Sequence, residues 1–237
     1  GVRSMKRILL IFTMFLSVIV FSANYGLYHD STPGKNTALL VSNLSDENAY
    51  FRVVVYNCDG KEIWKDTFRS KPYETVYIDL VQKVPQSDKN WGLVLLQSDQ
   101  LLYISVLYKD SEMLFCRNHV IEPVQTSSNA KYYWYGISYT NFSSAETAFS
   151  LMNTSNKETE VYVWVYDYTG NVIKELSGNI LPKASAYVDL TKELNSQTSG
   201  VVDIRSTEPI VIGVEYYQSG EIWIIENIVD WYTTTSW

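Results

Sequence analysis

Residues 37–80 read TALLVSNLSDENAYFRVVVYNCDGKEIWKDTFRSKPYETVYIDL, and residues 147–190 read TAFSLMNTSNKETEVYVWVYDYTGNVIKELSGNILPKASAYVDL. The two stretches align without a gap at an offset of 110, with thirteen identities in 44 positions. The identities include Asn43/Asn153, Ser45/Ser155, Val53/Val163, Val55/Val165, Tyr56/Tyr166, Gly60/Gly170, Pro72/Pro182, Tyr77/Tyr187 and Asp79/Asp189. The register runs back to Tyr25-Gly26 against Tyr135-Gly136. After a slip of two residues it continues forward through Ser98/Ser206, Ile104/Ile212, Val106/Val214 and Tyr108/Tyr216. Two copies of one domain therefore follow each other along 237 residues, each large enough to bury its own core. The shared positions are apolar, turn and capping types, so the repeat speaks to shape far more than to activity.

Period-two alternation with β-branched and aromatic enrichment dominates after residue 24, and long amphipathic helical patterns are missing. The pattern predicts eight short strands per copy. In the first they lie near 24–28, 38–43, 49–57, 61–67, 75–80, 92–98, 101–108 and 112–119. In the second they lie near 132–139, 147–152, 159–167, 171–177, 185–190, 200–206, 209–217 and 221–229. Asp59-Gly60, Thr169-Gly170 and Ser219-Gly220 supply hairpin turns, and Pro72 and Pro182 precede a strand where a missing amide costs nothing. The expectation is an all-β chain of two tandem antiparallel β-sandwich domains related by internal duplication and preceded by a signal peptide.

Met5-Lys6-Arg7 precedes an uncharged run, Ile8 to Phe21, with small residues placed for a cut before Ala23. That is the layout of a secretory signal peptide. The alternative, an uncleaved anchor, is disfavoured because the run is shorter than the ~20 residues of a membrane span. The divisions that follow are a cloning remnant or mis-start at 1–4, a signal peptide at 5–22, the first sandwich at 23–119, a linker at 120–131, the second sandwich at 132–232 and a tail at 233–237. Export and an even cysteine count raise a disulfide between Cys58 and Cys116 beside the alternative of two separate buried thiols. The second copy has Tyr168 and Ile224 at those places, so the domain folds without either cysteine.

Net charge is −7, with basic residues scattered, which argues against nucleic acid and against docking to anionic lipid. His29 and His119 are the only histidines, and neither has the spacing of a metal site or a triad. No phosphate loop, nucleophile elbow or zinc-helix signature is present in the sequence. Asp79 and Asp189 form a repeated carboxylate, but each opens a segment with the residue types of a helix cap. Asn43-x-Ser45, Asn153-x-Ser155 and Asn141-Phe142-Ser143 fit the glycosylation pattern and equally fit ordinary turns. No cofactor or metal is expected, and the chain reads as non-enzymatic unless carboxylates or His119 converge at the domain junction.

Surface aromatics are the stronger lead. Alternation puts Val161, Val163 and Val165 on one face of a strand, and Tyr162, Trp164 and Tyr166 on the other. The first copy carries Arg52, Val54 and Tyr56 at the latter positions, so Tyr162 and Trp164 are peculiar to the second. Three rings on one face suit stacking on sugar or anchoring a protein, and they equally suit packing against a neighbouring domain or against Tyr132–Tyr135. Glu215 is expected on the outward side of a nearby strand, where it would add a polar contact.

The pattern common to both copies is Asn-x-Ser, an alternating Val-x-Val-Tyr strand, Gly, Pro, Tyr-x-Asp-Leu, then Ser and an apolar strand ending in Tyr. With that pattern each copy resembles the β-sandwich modules repeated in exported bacterial surface proteins. More loosely, it is similar to the single-domain sandwich of the sensory rhodopsin transducer family. The resemblance implies non-catalytic binding or scaffolding. Expected partners are an extracellular or cell-surface protein or a glycan, with self-association into an envelope or surface assembly as the alternative, and the expected location is periplasmic, extracellular or cell-surface.

Overall fold

The computed structural model describes residues 23–110, 113–117, 124, 126–127, 129–218, 221–228 and 232–234. The signal segment at 5–22, His119, half of the linker and the Ser219-Gly220 turn lie outside the described residues.

The first half contains β1 (Ala23–Asp30), β2 (Lys35–Asn43), β3 (Ala49–Tyr56), β4 (Glu62–Ser70), β5 (Thr75–Asp79), β6 (Trp91–Ser98), β7 (Leu102–Asp110) and β8 (Met113–Arg117). The second contains β9 (Tyr132–Phe142), β10 (Ala145–Asn153), β11 (Thr159–Asp167), β12 (Val172–Ile180), β13 (Ser185–Asp189), β14 (Thr198–Ser206), β15 (Ile210–Gln218) and β16 (Glu221–Ile228). All sixteen fall where the alternation places them. A further strand, β17 (Tyr232–Thr234), pairs with β9 in the region the sequence leaves as tail.

Every recorded strand pairing is antiparallel, and the strand order repeats. The first half has sheets β1-β6-β3-β4 and β5-β2-β7-β8; the second has β9-β14-β11-β12 and β13-β10-β15-β16, joined by a short β9–β10 pairing at Asn141–Glu146. The offset of 110 recurs in the registers: Ala38 faces Asp79 as Ala148 faces Asp189, and Ala49 faces Ser70 as Thr159 faces Ile180. Even the bulge after Val55 recurs after Val165. The slip of two residues falls between the short cap segment and β6, since Tyr25 faces Leu96 and Tyr135 faces Ile204.

Each half buries the inward face of its two sheets against each other. Leu27, Leu39, Phe51, Val53, Leu96 and Ile104 fill the first core; Tyr135, Phe149, Val163, Ile204 and Ile212 fill the second. Two hydrogen bonds tie the sheets together and recur in both halves. The buried Tyr25 hydroxyl accepts from Leu102 N at 2.8 Å, and that of Tyr135 accepts from Ile210 N at 2.9 Å. At the end of β2, the amide of Asn43 donates to Glu47 O at 2.7 Å and Lys71 O at 3.1 Å, while its oxygen accepts from Ser45 N at 3.0 Å. Asn153 repeats this with Lys157 O, Ile180 O, Leu181 O and Ser155 N. Both asparagines are fully buried, so the glycosylation reading is replaced by a structural one: no carbohydrate can reach an amide nitrogen already spent on carbonyls. Asn141 is buried too and donates to Ser196 O at 3.0 Å.

Asp79 and Asp189 are caps, as their surroundings predict. Asp79 accepts from Val81 N above one 3-10 turn, and Asp189 accepts from Thr191 N at the start of the one-turn α1 (Leu190–Glu193).

The halves meet through dissimilar faces. The outer face of β1 crosses the outer face of β15: a Cβ on Gly26 would stand 2.6 Å from Val211 Cγ2, and one on Gly213 would stand 2.8 Å from Tyr28 Cβ. Met152 and Val211 thereby join the first half's core. Backbone bonds also cross the junction, Ser185 N donating to Cys58 O at 3.0 Å. Tyr28 N on β1 donates to Asn227 Oδ1 at 2.6 Å, which covers an otherwise unpaired edge. Trp91 meets Tyr187 edge to face at 6.0 Å.

Glu215 lies in this junction, 2 % exposed, and not on the outward aromatic side. Strand parity sends it outward from its own sheet correctly, but the first half covers that face. Its Oε2 accepts from the hydroxyls of Tyr187, at 3.0 Å, and Tyr217, while Oε1 has no hydrogen-bond partner. Burial raises its pKa above the ordinary 4.5, against the opposing pull of those hydroxyls and of Lys35. Because the folded pKa exceeds the unfolded one, the stability linked to Glu215 is complete below 4.5 and declines as pH rises through the folded value.

Two outcomes are expected. Asn43→Ala and Asn153→Ala should each cost about 2–4 kcal/mol in urea unfolding, because orphaned buried carbonyls cost roughly 1–3 kcal/mol apiece. A cost equal to that of Ser45→Ala would count against the clasp. For the junction, the melting temperature of Glu215→Gln minus that of the wild type should climb as pH rises from about 4 to about 8, the sign that proton linkage demands. A flat difference over that range would show that Glu215 does not titrate on unfolding.

Candidate functional site

The outer face of β9-β14-β11-β12 gathers the predicted rings. Tyr162, Trp164 and Tyr166 project from one side of β11, all half-buried, with Val161, Val163 and Val165 buried behind them. Tyr162 and Trp164 lie nearly parallel, with centroids 6.1 Å apart and planes at 15°. The Tyr162 hydroxyl donates to Glu160 at 3.0 Å, which raises its pKa because the anionic phenolate would face a carboxylate.

Pairing register brings three further residues to this face. Tyr162 stands opposite Arg205 of β14, and Arg205 stands opposite Trp134 of β9; in the next row Trp164 faces Asp203, and Asp203 faces Gly136. The Arg205 guanidinium sits 3.8 Å from the Trp134 ring centre and 4.8 Å from that of Trp164. Asp203 holds it there through a 3.1 Å ion pair and also accepts from the Trp134 indole nitrogen. A planar guanidinium lying between two indoles exploits both its charge and its flat, weakly hydrated faces, each contact contributing on the order of 1 kcal/mol. The result is a ladder Trp134–Arg205–Trp164 with Tyr162 at its side. Arg205, Asp203 and Trp134 were visible to the same parity rule that found Tyr162, but only the strand order of the sheet makes them neighbours.

Below the ladder the face becomes small and exposed. Gly136 and Ser138 of β9 are exposed, no described residue stands within 4 Å of where a Cβ on Gly136 would be, and Val201 of β14 is 50 % exposed.

The remaining candidates lie elsewhere. Glu215 is in the junction, on the other sheet. Cys58 carries a free thiol in the turn after β3, and Cys116 belongs to β8, at the edge of the opposite sheet. His29 is fully buried in the first half, where burial depresses its pKa to about 4. Its Nε2 lies 2.9 Å from Tyr56 O and must donate there, leaving Nδ1 to accept from Ser31 Oγ at 3.3 Å. A neutral, doubly engaged imidazole of this kind is a core residue.

A cleft of about 440 Å³ opens between the halves, lined by Asn24, Gln97, Asn156, Lys183 and Glu208 among others. Among the described residues its lining holds one carboxylate, Glu208, which pairs with Lys157 at 3.3 Å. No group of three His, Cys, Asp or Glu among the described residues has metal-binding proximity, and no described helix is long and apolar enough to cross a membrane.

No protein-family model and no curated protein matches the sequence. Among solved structures, the chain is similar to the PBSX exported protein XepA, at 11% identity over 79% of this chain and 85% of that one, with a TM-score of 0.26. A putative secreted protein from Parabacteroides distasonis follows at 10% identity, covering 88% and 78%, with a TM-score of 0.24. The apo form of the Pleurotus ostreatus lectin gives 12% identity, 91% and 76% coverage and a TM-score of 0.23. Likenesses this distant carry neither fold nor function across to this chain.

Proposed function

We propose that the chain is an exported, non-catalytic binding protein whose docking surface is the outer face of β9-β14-β11-β12. The supporting observation is the ladder of Trp134, Arg205 and Trp164 flanked by Tyr162, built on positions where the first half carries Asn24, Gln97, Val54 and Arg52. Aromatic rings and arginine are the residue types that dominate binding energy at interfaces. Export rests on the leader-like segment before Ala23.

The guanidinium of Arg205 lies over both indoles, so the array offers charge, donors and ring edges together, a mixture that suits a protein surface better than the flat apolar platform on which a sugar ring stacks. An extracellular or cell-surface protein is therefore favoured as the partner over a glycan.

The test is retention of the wild type and of Trp164→Ala and Tyr162→Ala on isolated cell envelopes, with and without protease treatment. Affinity electrophoresis through a polysaccharide panel serves as the glycan arm. Truncating a central indole should weaken retention roughly 30-fold, as a loss of about 2 kcal/mol implies. Retention unchanged in both variants and on every matrix would overturn the reading; retardation on a polysaccharide that Tyr162→Ala abolishes would transfer it to a sugar.

A further inference from the structure

Within one chain, the outer face of β1-β6-β3-β4 is covered by the outer face of β13-β10-β15-β16. The strand orders of the two halves are the same, so the chain carries an equivalent of each face a second time: β9-β14-β11-β12 in the second half and β5-β2-β7-β8 in the first. We propose that a second copy of this chain docks its β5-β2-β7-β8 face on β9-β14-β11-β12, repeating between chains the contact that already joins the halves. The inference rests on the reading that this outer face is a docking surface, and it names the partner.

The glycines carry the argument. Gly26 is bare because Val211 of the opposing sheet approaches to where a Cβ would be. Its counterpart Gly136 is also bare and in mid-strand, yet among the described residues no atom comes within 4 Å of that point. A glycine inside a strand costs roughly 0.5–1 kcal/mol relative to alanine, and its usual return is the close approach of another backbone or side chain. Here the described residues supply no such approach at Gly136, whereas one is present at the equivalent position.

The opposing sets of residues are compatible in size and character. At the internal junction Tyr28 stacks over Gly213; the equivalent pair is Ser138 with Ser105, two small residues in place of one large and one absent side chain. Val211, which fills the space over Gly26, corresponds to Tyr103, a larger group for the wider opening over Gly136. Leu93, fully buried at the junction, corresponds to Val201, which is 50 % exposed. Tyr187, which meets Trp91 edge to face, corresponds to Tyr77, 57 % exposed. Leu40, Tyr103 and Leu107 line the same outer face of β5-β2-β7-β8 and are partly exposed. Because the two faces differ, the contact is head-to-tail and does not close at two copies; it extends into a linear array.

Sedimentation velocity and light scattering of the full chain over a concentration series test this. The wild type should grow in mass with concentration. A side chain in Gly136→Val meets no described residue of its own chain, so the variant should keep or raise the melting temperature while weakening association roughly tenfold or more, the effect of a clash at a central contact. Tyr103→Arg on the complementary face should do the same. Mixing these two variants should yield a species of two chains and stop there, since each retains one competent face. A wild type that stays at single-chain mass overturns the assignment of the partner, as does association indifferent to Gly136→Val. If the single-chain wild type is nonetheless retained on envelopes in a manner that Trp164→Ala abolishes, the docking reading stands and only the partner falls. A single-chain wild type with no such retention removes both.

Discussion

Closure of each sandwich depends on one buried amide. Asn43 and Asn153 end the second strand of each half, at the point where the chain leaves one sheet to begin the other. An asparagine side chain offers two donors and an acceptor, and here the amide donates both to a carbonyl of its own following turn and to one at the end of the β3–β4 or β11–β12 hairpin, while its oxygen accepts from that same following turn. The two sheets are thereby fixed at one corner in a defined register, and the tyrosine hydroxyl of β1 or β9 fixes them at another. Apolar packing alone would hold two sheets face to face without choosing among slipped arrangements; fully satisfied buried polar groups choose. That explains why Asn43, Ser45 and Tyr25 keep their identity across the offset of 110 while most core positions change freely among apolar types.

Once shape is held by shared residues, the differences between the halves follow what covers each face. On β1-β6-β3-β4 the outward positions are Gly26, Tyr28, Val54, Leu93 and Leu95, a surface suited to burial against a neighbouring sheet. On β9-β14-β11-β12 the same positions are Gly136, Ser138, Trp164, Val201 and Asp203. Aliphatic side chains contribute most when dehydrated completely, whereas rings with polar tips and an ion pair tolerate a face that is dry in one state and wet in another. The contrast between the two faces is that between a surface buried inside the chain and one built of rings with polar tips and an ion pair.

Much of this was legible in the sequence. The period-two runs located all sixteen repeated strands, the aspartates declared themselves as caps through the residues beside them, and parity put Tyr162, Trp164 and Tyr166 on one face. What failed did so for a common reason: the alternation rule says which way a side chain points, never what stands opposite. Glu215 points away from its own core as expected and is nevertheless buried, because the first half lies there. Asn43 reads as a turn residue or a glycosylation acceptor until the β3–β4 hairpin is brought against it. Arg205 and Trp134 are 71 residues apart and become neighbours through a strand order that local sequence does not contain.

Glu215 shows how the second half was fitted to the first. The equivalent position in the first half is Leu107, so the fold itself has no need of a carboxylate there. Burying one with an unpartnered oxygen is costly, and the cost falls on the junction rather than on either core. What the carboxylate gains is direction: Tyr187 and Tyr217 converge on it from β13 and β15, and Lys35 of the first half pulls on it electrostatically from the other side. A leucine would slide against the aliphatic surface of β1 and β6, whereas a carboxylate with fixed donors accepts few alignments. With Gly26 and Gly213 requiring close approach at the same crossing, steric fit and polar fit select one orientation of the halves, and that orientation in turn decides which outer faces the halves cover in each other.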